Sequence, residues 1–229
     1  QLNFAGNTAT TTAYITVEDN DLVNQKTPVT ISGQDASLKP FDFTVVNKIS
    51  SKTIQKGIKM NKGGAIAGSG AAYSALSGKN TATYMAWVRL DDATMLTGYQ
   101  MLVFFRGTGT NATGLVLKDG KIGCHWNDES WSWDVNSGLT LTSAEIGKWV
   151  HIAMTASPTG LEFYLNGKKG TRISRTINAA TIGTGLMLGK NEPGDATFIG
   201  AFDQVALWNR TLSPQEIVKY MHSRTYLND

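Results

Sequence analysis

The chain has 229 residues, of which 41% are hydrophobic and 17% are charged, and this composition excludes a disordered protein and suits one sandwich-sized domain. The formal net charge is +3, but the Lys and Arg residues are scattered along the chain, which argues against nucleic acid as a partner. No stretch approaches the ~20 apolar residues that span a bilayer, and the lone Cys124 excludes an internal disulfide.

The N-terminal part is rich in β-forming residues. Residues 11–18, 27–32 and 41–46 read as short strands separated by Asp, Asn, Gly and Pro. These strands either open the same sandwich as the rest of the chain or are the remnant of an upstream β-domain, because so short a segment could barely form its own core. We therefore divide the chain into a β-rich segment, residues 1–50, and a main domain, residues 51–229.

Two segments in the second half alternate strictly between two sets of side chains. Residues 149–155 and residues 161–166 each place every second residue on one face, which predicts a pair of antiparallel strands. The dipeptide Asn166-Gly167 follows the second strand and tolerates positive φ at both central positions of a tight hairpin. The pattern predicts two strands, each followed by a turn.

A short helix is predicted near the C-terminus. Ser213 can cap the first turn, Pro214 suits the first helical position because its missing N–H has no partner there, and Glu216 completes a reciprocal capping box. These signals predict a helix over residues 214–222.

Several phrases occur in one order along the main domain: A-T-Y-M-A-W-V-R-L at 82–90, W-V-H-I-A at 149–153, Y-L-N-G-K at 164–168, L-M-L-G-K at 186–190 and F-D-Q-V-A-L-W-N-R-T-L-S-P-Q-E-I at 202–217. Together they resemble the laminin G-like jelly-roll domains of the concanavalin A-like lectin/glucanase superfamily. The resemblance covers about residues 57–225. It implies an all-β, two-sheet antiparallel sandwich with one short C-terminal helix.

The densest aromatic cluster, residues 124–136, holds half of the 6 tryptophans together with carboxylates and amides. Sugar rings have an apolar face that stacks on indole, and their hydroxyls need polar partners. We predict stacking by three tryptophans and hydrogen bonding by their neighbours, which gives a carbohydrate-binding set of Trp126, Asn127, Asp128, Glu129, Trp131 and Trp133. The alternative is that Trp131 and Trp133, which have the same parity, lie on one face of a strand and point into the core.

Asp203 shares its parity with four apolar residues and is therefore predicted to point toward an apolar side, where a carboxylate needs a partner. These residues are Ile199, Ala201, Val205 and Leu207. The resemblance implies a structural Ca²⁺ at this position, because related jelly-roll modules hold calcium with an Asp of the closing strand. Asn191 or Asp195 could supply further oxygen ligands. The alternative is a hydrogen-bonded structural aspartate, since residues 63–72 contribute no carboxylate.

Catalysis is not expected. Glycoside hydrolysis needs two carboxyl groups across the scissile bond, and the Glu-x-Asp-x-x-Glu strand motif of the superfamily's glucanases is absent from the sequence. The three histidines are isolated, without metal-ligand or nucleophile spacing.

Three hypotheses follow for function. The first is a non-catalytic carbohydrate-binding module of an exported or cell-surface bacterial protein, with a poly- or oligosaccharide as its partner. The second is a protein-interaction or structural sandwich beside other domains of a surface protein, and the third is a glycoside hydrolase. The resemblance implies an extracytoplasmic location in the periplasm, at the cell surface or outside the cell, and the chain starts at Gln1 as if a signal peptide had been removed.

Overall fold

The structure is a computed structural model, and it describes residues 9–13, 29–31, 43–46, 58–67, 76–106, 112–183, 185–191 and 198–222. The strands are β1 (Ala9–Ala13), β2 (Val29–Ile31), β3 (Phe43–Val46), β4 (Ile58–Ala67), β5 (Ala82–Leu90), β6 (Tyr99–Arg106), β7 (Ala112–Lys118), β8 (Lys121–His125), β9 (Trp149–Ser157), β10 (Gly160–Leu165), β11 (Lys168–Lys169), β12 (Ile173–Ser174), β13 (Gly185–Leu188) and β14 (Phe198–Trp208). The α-helix is α1 (Pro214–His222), and short 3₁₀ helices cover Ala93–Leu96, Ser130–Asp134 and Ser143–Glu145.

The main domain forms, together with β3, two antiparallel sheets that share β4. Sheet I has the strand order β11-β10-β9-β5-β14-β4, with β12 also paired to β10. Sheet II has the order β4-β13-β6-β7-β8, with β3 also paired to β4. The first part of β4 pairs with β14, and residues 64–67 pair with β3 and β13 instead. This two-sheet arrangement is a jelly-roll β-sandwich, which confirms the predicted fold class.

The core lies between the sheets and follows the alternation of the strands. In β5, Tyr84 and Val88 are fully buried in the main hydrophobic cluster, whereas Trp87 and Arg89 are half-buried. Tyr84 packs edge-on against Phe105 of β6, with ring centroids 6.2 Å apart. This contact joins the inner face of sheet I to the inner face of sheet II.

The strands predicted from alternation are β9 and β10, which pair antiparallel. The chain then turns through Asn166 and Gly167, whose φ angles are 50° and 76°, and Leu165 lies opposite Lys168 in β11. The predicted hairpin is therefore confirmed.

The helix predicted over residues 214–222 is confirmed as α1 (Pro214–His222). Ser213 donates its N–H to Glu216 Oε2 at 2.7 Å, and Glu216 donates its N–H to Ser213 Oγ at 3.3 Å, which is the expected capping box. Trp208 of β14 stacks on Tyr220 of α1 at 5.2 Å. The helix thus packs on the outer face of sheet I.

A β-bulge interrupts β14 at Gln204, whose φ is 45°. Before the bulge, Asp203 lies opposite Trp87 of β5. After the bulge, Leu207 lies opposite Tyr84. Because directly opposite residues share a face of the sheet, Leu207 is on the core face and Asp203 is on the outer face.

The prediction that Asp203 shares a face with Val205 and Leu207 is therefore wrong, whereas Ala201, which precedes the bulge, does share its face. The prediction assumed an unbroken period of two, and the bulge inserts one extra residue between these positions. Asp203 is half-buried on the side where the Trp87 indole N–H donates to the carbonyl oxygen of Met221 at 3.1 Å.

In the N-terminal segment, β1 pairs with β2 in a separate two-stranded sheet, and β3 pairs with β4. The other positions of residues 1–50 lie outside the described residues. The division of the chain at residue 50 stays a prediction.

Candidate functional site

The predicted carbohydrate-binding residues lie in the loop that follows β8. Asn127 and Asp128 both have positive φ angles, 54° and 51°, and they turn the chain into the 3₁₀ helix Ser130–Asp134. A 3₁₀ helix has three residues per turn, so residues two positions apart point in different directions. The alternative that Trp131 and Trp133 share one strand face is therefore wrong: Trp131 is half-buried and Trp133 is 44% exposed.

Trp126 belongs to the core. Its side chain has 0% exposure, and its indole N–H donates to the carbonyl oxygen of Asn178 at 2.9 Å. Its backbone N–H donates to Ser132 Oγ at 3.0 Å. A fully buried ring offers no face on which a sugar could stack, so Trp126 holds the loop in place instead.

Asn127 and Glu129 tie the same loop to residues 178–181. Asn127 donates to the carbonyl oxygen of Ala179 at 2.9 Å and accepts from the backbone N–H of Thr181 at 2.6 Å. Glu129 accepts from the Asn178 side chain at 3.0 Å, and this hydrogen bond holds the pKa of the Glu129 carboxyl below its usual range. Both side chains therefore form hydrogen bonds to other parts of the protein and hold the loop against residues 178–181.

The ring of Trp131 is covered by another side chain. The Arg175 guanidinium carbon lies 4.0 Å from the centroid of the indole ring, and the indole N–H donates to Glu129 Oε2. A sugar could stack on this face of Trp131 only if Arg175 moved away.

Trp133 lies beside a second exposed aromatic ring on the outer face of sheet II. Tyr99, at the start of β6, is 39% exposed, and Trp133 is 44% exposed. The Tyr99 hydroxyl donates to the carbonyl oxygen of Trp133 at 2.9 Å. Both rings contact His125, with centroid separations of 5.4 Å for Tyr99 and 6.3 Å for Trp133. We call the group Tyr99, His125, Asp128 and Trp133 the aromatic patch.

Charged groups surround the aromatic patch. Asp128 Oδ1 lies 3.2 Å from His125 Nδ1, and Asp128 Oδ2 lies 3.3 Å from Arg106 Nη1. Lys118 of β7 forms an ion pair with Asp134, and its Nζ lies 5.1 Å from the centroid of the Tyr99 ring. Aromatic rings and paired charges therefore lie side by side on this face of sheet II.

The environment of His125 disfavours its protonation. The side chain packs under Tyr99 and Trp133 and edge-on against Phe104 at 5.8 Å, which leaves the residue 9% exposed. This burial lowers the pKa of His125, and the neighbouring Asp128 only partly opposes the effect. The imidazole is therefore neutral near neutral pH.

Sequence reasoning included Asp128 and Trp133 but missed Tyr99, Arg106 and Lys118, and it treated His125 as isolated. These residues come from β6, β7 and β8, which are neighbours in sheet II. The pairing of β6 with β7 and of β7 with β8 brings them together, with Tyr99 opposite Lys118 and His125 opposite Gly114. No local pattern in the sequence indicates that pairing.

Calcium was predicted to bind at Asp203. Ca²⁺ takes six to eight oxygen ligands, whereas the part of the chain that the structure describes contains no group of three or more His, Cys, Asp or Glu side chains that could hold a metal ion. Asp203 Oδ1 accepts a hydrogen bond from the Gln204 backbone N–H at 2.8 Å, and Asp195 lies outside the described residues. Calcium at Asp203 therefore stays a prediction.

The comparisons with solved structures show the fold. Domain 4 of AbnA, a GH43 extracellular arabinanase from Geobacillus stearothermophilus in complex with arabinotriose, is similar with a TM-score of 0.62 and 19% identity, over 80% of this chain and 88% of that domain. The botulinum neurotoxin serotype D binding domain has a TM-score of 0.57 and 13% identity, over 79% of this chain and 46% of that one. A mutant of Trypanosoma rangeli sialidase displaying trans-sialidase activity has a TM-score of 0.57 and 19% identity, over 82% of this chain and 31% of that one.

No protein of curated function matches the sequence. The family model that describes the laminin G-like group of the concanavalin A-like lectin/glucanases superfamily matches residues 59–218. These residues run from β4 into α1 and include both sheets of the sandwich. The chain belongs to the concanavalin A-like lectin/glucanase superfamily, as a laminin G-like domain.

Proposed function

We propose that the protein is a non-catalytic carbohydrate-binding module and that its glycan binds at the aromatic patch. The observation that carries this proposal is the pair of exposed rings, Tyr99 at 39% and Trp133 at 44%, beside the ion pair of Arg106 and Asp128. The apolar face of a sugar ring stacks on such rings, and Asp128 and Arg106 lie close by to bind hydroxyl groups.

The similar structures support a glycan as the partner. The arabinanase domain was solved in complex with arabinotriose, and the neurotoxin neighbours are described as binding or receptor-binding domains. These descriptions belong to those proteins. They make a poly- or oligosaccharide the first class of ligand to test here.

A binding role is favoured over glycoside hydrolysis by the state of the carboxyl groups. A general acid in a glycosidase needs a raised pKa, whereas the hydrogen bond from Asn178 lowers the pKa of Glu129. Asp128 is held between His125 and Arg106. These contacts favour a role for both carboxylates in holding the loop and positioning a ligand.

We further propose that the module belongs to an exported or cell-surface bacterial protein and works outside the cytoplasm beside other domains. The extracellular arabinanase with a similar domain supports this location. No helix among the described residues is long and apolar enough to cross a membrane.

Affinity electrophoresis tests the proposal. The purified protein would run through gels that contain arabinan, xylan, mannan or a sialylated glycan, with and without EDTA. We expect retardation by at least one glycan, and we expect Trp133→Ala to weaken that retardation about tenfold, since tenfold corresponds to about 1.4 kcal/mol and a stacking ring contributes an energy of this size.

Val218→Ala is the matched control, because Val218 is 41% exposed on α1 and should leave retardation unchanged. Trp131→Ala should also leave it largely unchanged, because Arg175 covers that ring. Uniform mobility across the panel would contradict glycan binding and favour the protein-interaction hypothesis, in which exposed aromatic side chains anchor a protein partner. Loss of retardation in EDTA would reveal a required cation.

A further inference from the structure

His125 lies at the centre of the aromatic patch and has a polar atom without a partner. Its ring contacts Tyr99, Phe104 and Trp133 at centroid distances of 5.4, 5.8 and 6.3 Å. The residue is 9% exposed, and its Nε2 atom is buried without a hydrogen-bond partner. Buried polar atoms are nearly always paired, so an unpaired one beside exposed aromatic rings indicates a place for a ligand group.

Asp128 determines which nitrogen of His125 carries the proton. Its Oδ1 lies 3.2 Å from Nδ1, and an ionised carboxylate only accepts hydrogen bonds. Nδ1 must therefore be the donor, and in the neutral ring Nε2 then has the lone pair. Arg106 binds the other oxygen of Asp128 at 3.3 Å and keeps the carboxylate oriented.

We propose that His125 Nε2 accepts a hydrogen bond from a hydroxyl group of the glycan, so that the aromatic patch selects neutral, hydroxyl-bearing sugars. This inference rests on the proposed function and names the class of ligand. A hydroxyl proton satisfies the unpaired lone pair. A carboxylate of an acidic sugar has no proton to donate and would place its own lone pairs against that of Nε2. Acidic sugars are therefore disfavoured at this position. Because Nε2 is buried, this hydrogen bond requires the exposed Trp133 or Tyr99 ring to shift when the glycan binds.

Protonation of His125 reverses this preference. The charged and titratable groups that face the ring are Asp128 from the loop, Arg106 and Tyr99 from β6, and Lys118 from β7. Burial lowers the pKa of His125, and the cations Arg106 and Lys118 act in the same direction. At neutral pH the Nε2 atom therefore accepts a hydrogen bond. It becomes a hydrogen-bond donor only in acid, when the ring is protonated.

The first measurement needs no ligand. In ¹⁵N-labelled protein near neutral pH, the side-chain nitrogen resonances of His125 should show a protonated Nδ1 and an unprotonated Nε2. His125→Gln assigns the signals, and His151 on the other sheet is the internal control. A proton on Nε2 instead of Nδ1 would overturn the proposal.

The second measurement adds arabinotriose, or an oligosaccharide of whichever glycan retards the protein. We expect the Nε2 resonance to move upfield while the His151 signals stay in place. His125→Leu should weaken binding about tenfold, because one hydrogen bond is lost, whereas His125→Gln retains an acceptor and should bind nearly as the parent does.

The two proposals fail in different ways. Binding that depends on Trp133 but leaves Nε2 unshifted and tolerates His125→Leu would overturn the role of His125 and leave the module a glycan binder. Absence of retardation by any glycan would overturn the proposed function and the ligand role of His125 together, with the tautomer still measured separately.

Discussion

Trp126 and Trp133 lie seven positions apart in one loop, yet they experience opposite environments, with exposures of 0% and 44%. We expect Trp126→Ala to lower the free energy of unfolding by about 3–5 kcal/mol, because it removes a large buried side chain and leaves a cavity. Trp133→Ala should change it by less than about 1 kcal/mol. Urea denaturation of the two variants measures the difference, and equal losses would contradict the assigned burial.

The same loop shows what a sequence reveals at the scale of single residues. The concentration of aromatic, carboxylate and amide side chains at residues 124–136 includes three members of the aromatic patch, whose binding role stays a proposal. It could not separate Trp126 and Trp131, whose rings are buried or covered by Arg175, from Trp133. That separation depends on the positive φ angles at Asn127 and Asp128 and on contacts with residues 178–181, about fifty positions away.

Among the strands, β7 and β8 each contain one central glycine, and the two glycines differ in the space around them. A Cβ on Gly114 would lie 2.3 Å from the carbonyl oxygen of Val103, in the backbone of β6, whereas a Cβ on Gly123 would find its nearest neighbour at 3.6 Å, in Val135. We expect Gly114→Ala to push β6 and β7 apart and to lower the melting temperature by several degrees or more, since about 1 kcal/mol corresponds to ~2–4 °C in a chain of this size.

Gly123→Ala is the control for this prediction, because its new methyl group makes only an ordinary contact. It should leave the melting temperature nearly unchanged. Gly114→Ala should also weaken retardation by the glycan more than Gly123→Ala does, since Gly114 lies directly opposite His125 in the β7–β8 pair. If the two variants had the same melting temperature, the close packing at Gly114 would be contradicted.

Elements that depend on neighbouring residues were predictable, and elements that depend on distant ones were not. The capping box of Ser213 and Glu216 and the Asn166-Gly167 turn are local signals, and the structure contains both. The bulge at Gln204 depends on the pairing of β14 with β5. The aromatic patch depends on the order of β6, β7 and β8 in sheet II.

For the whole molecule, the groups with shifted pKa values predict that the free energy of unfolding falls in two steps as the pH is lowered. The folded-state pKa of His125 lies below its ordinary value of 6.5, mainly because of burial. Such a group stabilises the fold above its unfolded pKa, and the contribution is lost as the pH falls through the folded value. Carboxyl groups with lowered pKa values, such as Glu129, Glu162 and Glu216, add a second loss below their ordinary value of 4.5.

We therefore expect the free energy of unfolding to decline first below about pH 6.5 and again below about pH 4.5. Urea titrations across this range measure both steps. His125→Gln should diminish the first step and leave the second. A stability that stays level until the carboxyl groups titrate would show that His125 has the same pKa in the folded and unfolded chains.

The outer face of β5 has a consequence for how the domain is made. Thr83 donates to the carbonyl oxygen of Arg210 and accepts from the N–H of Leu212, 127 and 129 positions later. Trp87 donates to the carbonyl oxygen of Met221, 134 positions later. Contacts of this sequence separation form slowly, because a long loop must close first. In a nascent chain, β5 therefore finds these partners only after residues 210–221 have left the ribosome, and fragments that end before residue 210 should persist as aggregation-prone intermediates.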